Sequence, residues 1–165
     1  MHEDAFREVE AGATIITSSG RLARALTHDF HLHQREMGRA VWKTPDILPL
    51  EALLNRIWRE WVLRGARPDC PALLSPLQEQ IVWEQAIAQT PEGGSLLQIP
   101  ETAKHARGAW ELIQAYRLKV DAQFEASEDW AAFAAWSRGF VNLCRTKNWL
   151  DGARLSDAVA RLFHE

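Results

Sequence analysis

At 165 residues, with 47% hydrophobic and 25% charged side chains, the chain has the composition of one ordinary globular domain and not of a disordered or fibrous protein. A formal net charge of −3 excludes a polyanion binder that is basic over its whole surface. Cys70 and Cys144 are far apart and form no C-x-x-C pair, which argues against a disulfide framework or a zinc site and fits a reducing, cytoplasmic setting.

Residues 1–12, MHEDAFREVEAG, are an acidic N-terminal segment, unlike the basic and then apolar start of a secretory signal. No uninterrupted apolar run in the chain approaches membrane-spanning length, so no membrane partner is expected. From Ala13 to Thr17 a short β-branched run predicts a strand buried on both faces. The hydroxyls of Thr17, Ser18 and Ser19 follow, and the pattern predicts a helix from about Gly20 to Met37, stopped at Gly38. Val41 to Thr44 is a second strand candidate, and Pro45 and Pro49 break the chain before the next helix. That helix carries Leu50, Leu53, Leu54, Ile57, Trp58 and Trp61 at steps of three and four. Burying six such side chains, at roughly 1.5–3 kcal/mol each, would outweigh any propensity effect.

Gly65 to Ala72 reads as a loop on Pro and Gly grounds. Ser75-Pro-Leu-Gln78 has the form of a capping box with proline at the first helical position, opening a third helix that ends before Pro91. After a second loop at Pro91–Ser95, a fourth helix is predicted from about Glu101 to Lys119, with Ala103, Ala106, Trp110 and Ile113 in its apolar stripe and Tyr116 or Arg117 closing it. A fifth begins after Ser127 and presents Trp130, Phe133, Ala134, Phe140, Val141 and Cys144. Asn148-Trp-Leu-Asp151 interrupts it, and Asp151 is placed to cap a last helix from Gly152 to about Phe163. The fold class is therefore mainly α with a small parallel β element. Residues 13–65 carry two strand-helix units and residues 66–165 form a helical subdomain. Two strands do not make an independent sheet, so either the helices cover it or its remaining strands lie beyond Glu165, as in a fragment of a longer protein.

Few residues offer chemistry. Ser18-Ser-Gly20 lacks the lysine of a phosphate-binding loop, so the turn reads first as a helix cap. Neither Pro45-Asp46 nor Pro68-Asp69 is followed by the acid and lysine in one strand that a metal-dependent PD-(D/E)xK nuclease needs, and both read as turns. On a regular helix His28 and His31 are neighbours while His33 lies on roughly the opposite side from His31, which rules out a three-histidine metal site. The eight tryptophans read first as rings buried between helices, and second as stacking surfaces for bases. From Ala11 to Arg67 nine Lys and Arg face five acids, whereas from Pro68 onward nine face thirteen. The basic excess thus coincides with the two strand-helix junctions.

In order, these pieces resemble the UvrD-like superfamily-one helicases. The strand ending in hydroxyls before Arg21-Leu-Ala-Arg-Ala-Leu26 is similar to their motif Ia, and Trp42-Lys-Thr-Pro-Asp-Ile-Leu-Pro-Leu-Glu-Ala-Leu-Leu54 is similar to the next motif. Leu74-Ser-Pro-Leu-Gln78 and the Trp-rich helices look like the helical subdomain inserted there, and Trp149-Leu-Asp-Gly-Ala-Arg-Leu155 resembles the segment before the Walker B strand. Within that superfamily the chain is most similar to the AddB/RecB-like branch of bacterial DNA-repair helicase-nucleases. The resemblance implies an α/β helicase-like core that lacks the Walker A loop, hence no bound cofactor or metal and no catalytic residue in this chain. The PD-(D/E)xK nuclease of the family would lie outside these residues.

It also implies contacts to the sugar-phosphate backbone of single-stranded or duplex-end DNA through Thr17, Ser18, Ser19, Arg21 and Arg24 at the first junction, and Lys43 and Thr44 at the second. A partner helicase subunit is a further implication. The expected function is a non-catalytic DNA-binding region of a DNA-repair nuclease. The alternative is a helical scaffold that docks a partner subunit or the rest of its own chain.

Overall fold

The computed structural model describes residues 3–65, 70–91, 93–95, 98–118 and 127–163. Residues 66–69 of the predicted 65–72 loop, with Pro68-Asp69, and the predicted helix end at Lys119 lie outside them. The fold is mainly α with a small parallel β element, and the chain divides into two compact units, Met1–Gly65 and Ala66–Glu165.

The first unit begins with a helix, α1 (Glu3–Glu10), where the sequence suggested only an acidic segment. Phe6 and Val9, three residues apart, form its buried face against Phe30, with the rings of Phe6 and Phe30 edge-on at 5.4 Å. Strand β1 (Ile15–Thr17) leads into α2 (Gly20–Glu36), which returns the chain to β2 (Ile47–Pro49), parallel to β1. Ile15 pairs with Ile47 and Thr17 with Pro49. The second strand is therefore 47–49 and not the predicted 41–44, which has no regular structure.

Helix α2 ends where glycine lets it. Gly38, at φ +73°, donates its N–H to the Arg35 carbonyl, and Arg39 donates to that of Gln34, the paired bonds of a Schellman cap.

Helix α3 (Leu50–Gly65) departs from expectation in its packing. Of its six stripe residues only Trp58 is buried, and Leu50 is 53% exposed. Two three-residue strands are too narrow to cover a helix of 16 residues, so Leu53, Leu54, Ile57 and Trp61 stay half-buried.

The second unit is built around α4 (Pro76–Ala88), which packs against α5 (Ile99–Ala115) and α6 (Glu128–Thr146). Its capping box is complete: Gln78 N–H donates to Ser75 Oγ, and Ser75 N–H donates to Gln78 Oε1 at 2.8 Å. Trp83 is wholly buried and stacks on Phe140 at 4.2 Å with the planes 8° apart, a geometry that contributes about 0.5–1.5 kcal/mol beyond its burial. Trp110, Phe133, Ile87 and Cys144 complete this core. Helix α6 begins after Ser127, as the sequence predicted, and the Ser127 hydroxyl caps it by accepting the Trp130 N–H.

A second parallel pair, β3 (Ala72–Leu73) with β4 (Trp149–Leu150), was not anticipated. Asp151 then caps a short 3-10 turn, Gly152–Arg154, that runs into α7 (Leu155–Leu162).

Two buried carboxylates hold this turn. Asp151 accepts from the Trp110 indole at 3.2 Å and pairs with Arg154 Nε at 2.5 Å. Glu79, on α4, accepts the Gly152 N–H at 2.5 Å. Burial pushes the Glu79 carboxyl above its ordinary range, with Gly152 opposing the shift and Asp151 adding to it. Unfolding then releases the proton more readily than the fold does, so stability falls as pH rises from the ordinary carboxylate value through the raised one. Glu79→Gln keeps an acceptor and removes the charge, and its melting temperature is expected to vary less with pH than the wild type's between pH 4 and 8. Glu79→Ala removes the acceptor of the Gly152 N–H and is expected to cost about 0.5–1.5 kcal/mol in denaturant unfolding.

Gly93 is required sterically: a Cβ there would lie 1.9 Å from the Ile87 carbonyl oxygen at the end of α4. Gly93→Ala is expected to lower stability by about 1–3 kcal/mol in the same measurement.

Candidate nucleic-acid interface

The carboxyl edge of the β1–β2 pair is where the predicted contacts of the first junction gather. Thr17 is not available there: it is buried, and its hydroxyl donates to the Ser19 carbonyl at 3.0 Å. Ser19 is the N-cap of α2, its hydroxyl accepting the Leu22 N–H at 3.3 Å while its carbonyl accepts from Ala23. The Thr17 hydroxyl is thus engaged inside the fold, while the Ser19 hydroxyl is exposed and already serves as the helix cap.

What remains open is Ser18, which is exposed, and the N–H groups of Gly20 and Arg21, which find no acceptor among the described residues. Arg21 and Arg24 are exposed on the first two turns, and neither makes an ion pair among the described residues. No acidic residue occupies the first turn of α2, so the positive end of the helix dipole is not offset from within. A cavity of about 420 Å³ adjoins this end, lined by Gly20, Ala23, Arg24, Thr27, Ile47 and Pro49.

Lys43 and Thr44 are elsewhere. Because β2 begins at Ile47, they precede the strand and sit at its amino edge, beside the C-terminal half of α2. A helix of 17 residues spans about 25 Å, so the two predicted junctions mark opposite ends of α2 and not one rim. The position of the second strand, six residues later than predicted at its start, is the cause.

Lys43 and Thr44 are exposed and line a second cavity of about 350 Å³ with Val9, Glu10, Phe30, Arg39, Val41 and Trp42. Its walls are braced. The Gln34 amide, and then Arg39, hold the Glu10 carboxylate below its usual range, and Arg39 reaches Glu10 at 2.6 Å and Gln34 at 2.7 Å. The Trp42 indole donates to His31 Nδ1 at 2.8 Å. These residues carried no single-sequence signal, since Glu10 and Gln34 meet only through the packing of α1 on α2.

The other candidates resolve structurally. His31 is bonded to Trp42 and the ring of His33 lies 5.7 Å from that of Phe6, and no group of metal-binding side chains forms among the described residues. Burial raises the Cys144 thiol to about 11, which keeps it protonated and unreactive. None of the eight tryptophans is exposed. The chain matches no protein-family model, no curated protein and no solved structure.

Asp46 fixes the approach to β2. Its carbonyl accepts the Ile15 N–H at 2.8 Å, and its carboxylate, held below the usual range by Arg56 first and Thr14 second, receives the Arg56 guanidinium at 2.7 and 3.0 Å. The stability this gives is present above the ordinary carboxylate pKa and is lost as pH falls through the depressed value. Since the pair is partly exposed, the loss is expected to be under about 1 kcal/mol. Comparing thermal melts of the wild type and Asp46→Asn between pH 7 and 3 measures it: the two should converge at the acid end.

Proposed function

We propose that this chain is a non-catalytic, helicase-like DNA-binding region of a DNA-repair nuclease, gripping the phosphate backbone of a single strand at the N-terminus of α2. The observation that carries the reading is the carboxyl edge of the β1–β2 pair. There Ser18, two backbone N–H groups and two arginines, the latter four unpaired among the described residues, converge at a helix end without acids. Hydroxyls, amides and guanidinium groups at a helix N-terminus are the donors that phosphate oxygens accept from. A strand held in this way is fixed in position without being read in sequence.

The test is a salt titration of binding to a single-stranded oligonucleotide. Removing one cation–phosphate interaction lowers the slope of log K against log[salt] by about 0.7. Arg21→Ala and Arg24→Ala together are therefore expected to weaken binding and flatten the slope by about 1.4. If the folded wild-type chain ignores DNA at low salt, the reading fails.

A second reading, a helical scaffold for a protein partner, is favoured by paired apolar side chains left outside the core. Leu77 and Ile81 lie one turn apart on α4, at 71% and 55% exposure. Size-exclusion chromatography distinguishes the two readings, because a scaffold is expected to co-elute with a protein and be indifferent to salt-dependent DNA capture.

A further inference from the structure

The cavity at the amino edge of β2 combines features that a backbone-gripping site alone does not need. Phe30, almost wholly buried, closes it from beneath, and the half-buried Trp42 gives it an aromatic wall. The Trp42 ring is fixed in plane by its bond to His31, whose own ring lies 5.9 Å away at 39°. Beside this apolar surface stand Glu10 and Arg39, locked to each other and to Gln34. At the mouth are Val41, 88% exposed, and the cation and hydroxyl of Lys43 and Thr44, which make no hydrogen bond or ion pair among the described residues.

We infer that this cavity receives one unpaired nucleobase of the bound strand, with the base against Trp42 and Val41 and its phosphate on Lys43 and Thr44. The volume, about 350 Å³, lies at the small end of the range for ligand cavities, which suits one base with its sugar and no more. Aromatic surface provides a stacking platform that any base satisfies, and the braced Glu10 carboxylate offers an acceptor to an exocyclic amine. Lys43 supplies the compensating charge, since Arg39 is already paired with Glu10. The inference rests on the DNA-binding reading above. It adds that a strand long enough to run the length of α2 is held by its backbone at one end and by a base at the other.

The experiment compares the affinity of the full chain for a single-stranded oligonucleotide with that for a strand of equal length made abasic throughout. Both carry the same phosphates, so the ratio isolates the base. The wild type is expected to prefer the base-bearing strand by about tenfold or more, the loss produced by removing one stacked base. Val41→Glu fills the mouth at a position too exposed to affect folding, and its added charge acts on both strands alike. It is expected to bring the ratio close to one, whereas Arg21→Ala lowers both affinities and leaves the ratio unchanged. Equal affinity of the wild type for the two strands overturns the base-binding inference and leaves the DNA-binding reading intact. Absence of binding to either strand overturns both.

Discussion

A parallel pair of strands cannot be closed by a tight turn, because the chain must cross back over the sheet before the second strand can begin. Both strand pairs among the described residues are parallel, so each commits the intervening chain to crossover structure. In the first unit the crossover includes α2, and in the second it contains α4, α5 and α6. Helices α2, α4, α5 and α6 thus lie within the two crossovers, whereas α1, α3 and α7 lie outside them. The same geometry directs the strand ends: β1 and β2 both finish at the edge where α2 begins, which is why the hydroxyls, amides and arginines of that junction share one surface.

The two units solve the narrowness of their sheets differently. In the second, apolar surface on α4, α5 and α6 closes on itself around Trp83, Trp110 and Phe140, and the strand pair is tied to this core by Asp151 through the Trp110 indole. The carboxylates of Asp151 and Glu79 could not sit there unpaired, and each is met by a guanidinium, an indole or a backbone N–H. In the first unit α1 and α2 close over Phe30, but the apolar stripe of α3 is left only half covered. Its packing is thinner where the sheet ends.

The sequence is most legible where a local rule decides the structure by itself. Ser75 with Gln78, Ser127 and Asp151 all cap as their residue types predict, and Gly38 ends α2 because no other residue adopts its φ at so little cost. The stripe of α5 from Ala103 to Ile113 is buried as its spacing indicates, although Tyr116 beyond it is exposed. Legibility fails where a partner distant in sequence decides. Helix α1 reads as an acidic tail until Phe30 is there to receive Phe6 and Val9. Strand β3 is two residues long and is defined only by β4.

Strand β2 is hidden in the sequence by Pro45 before it and Pro49 at its end, which read as breakers. With Ile15 bonded to the Asp46 carbonyl, alternate residues of β2 face β1, and Pro49 turns its nitrogen to the open edge, where a missing N–H removes no ladder bond. Because the strand starts at Ile47, Lys43 and Thr44 precede it and lie at the other end of α2 from the place expected of them.

The β3–β4 pair also sets an order of assembly. Ala72 donates to the Asn148 carbonyl at 3.0 Å and Leu74 to that of Leu150 at 2.8 Å, joining residues that stand near opposite ends of the second unit. Closing so long a loop costs entropy before these few bonds repay it, while the helices between them are built from local contacts. The strand pair is thus expected to form late in folding and to open before the helical core does. Amide hydrogen exchange would show this as weaker protection at Ala72 than at Trp83 or Ile87.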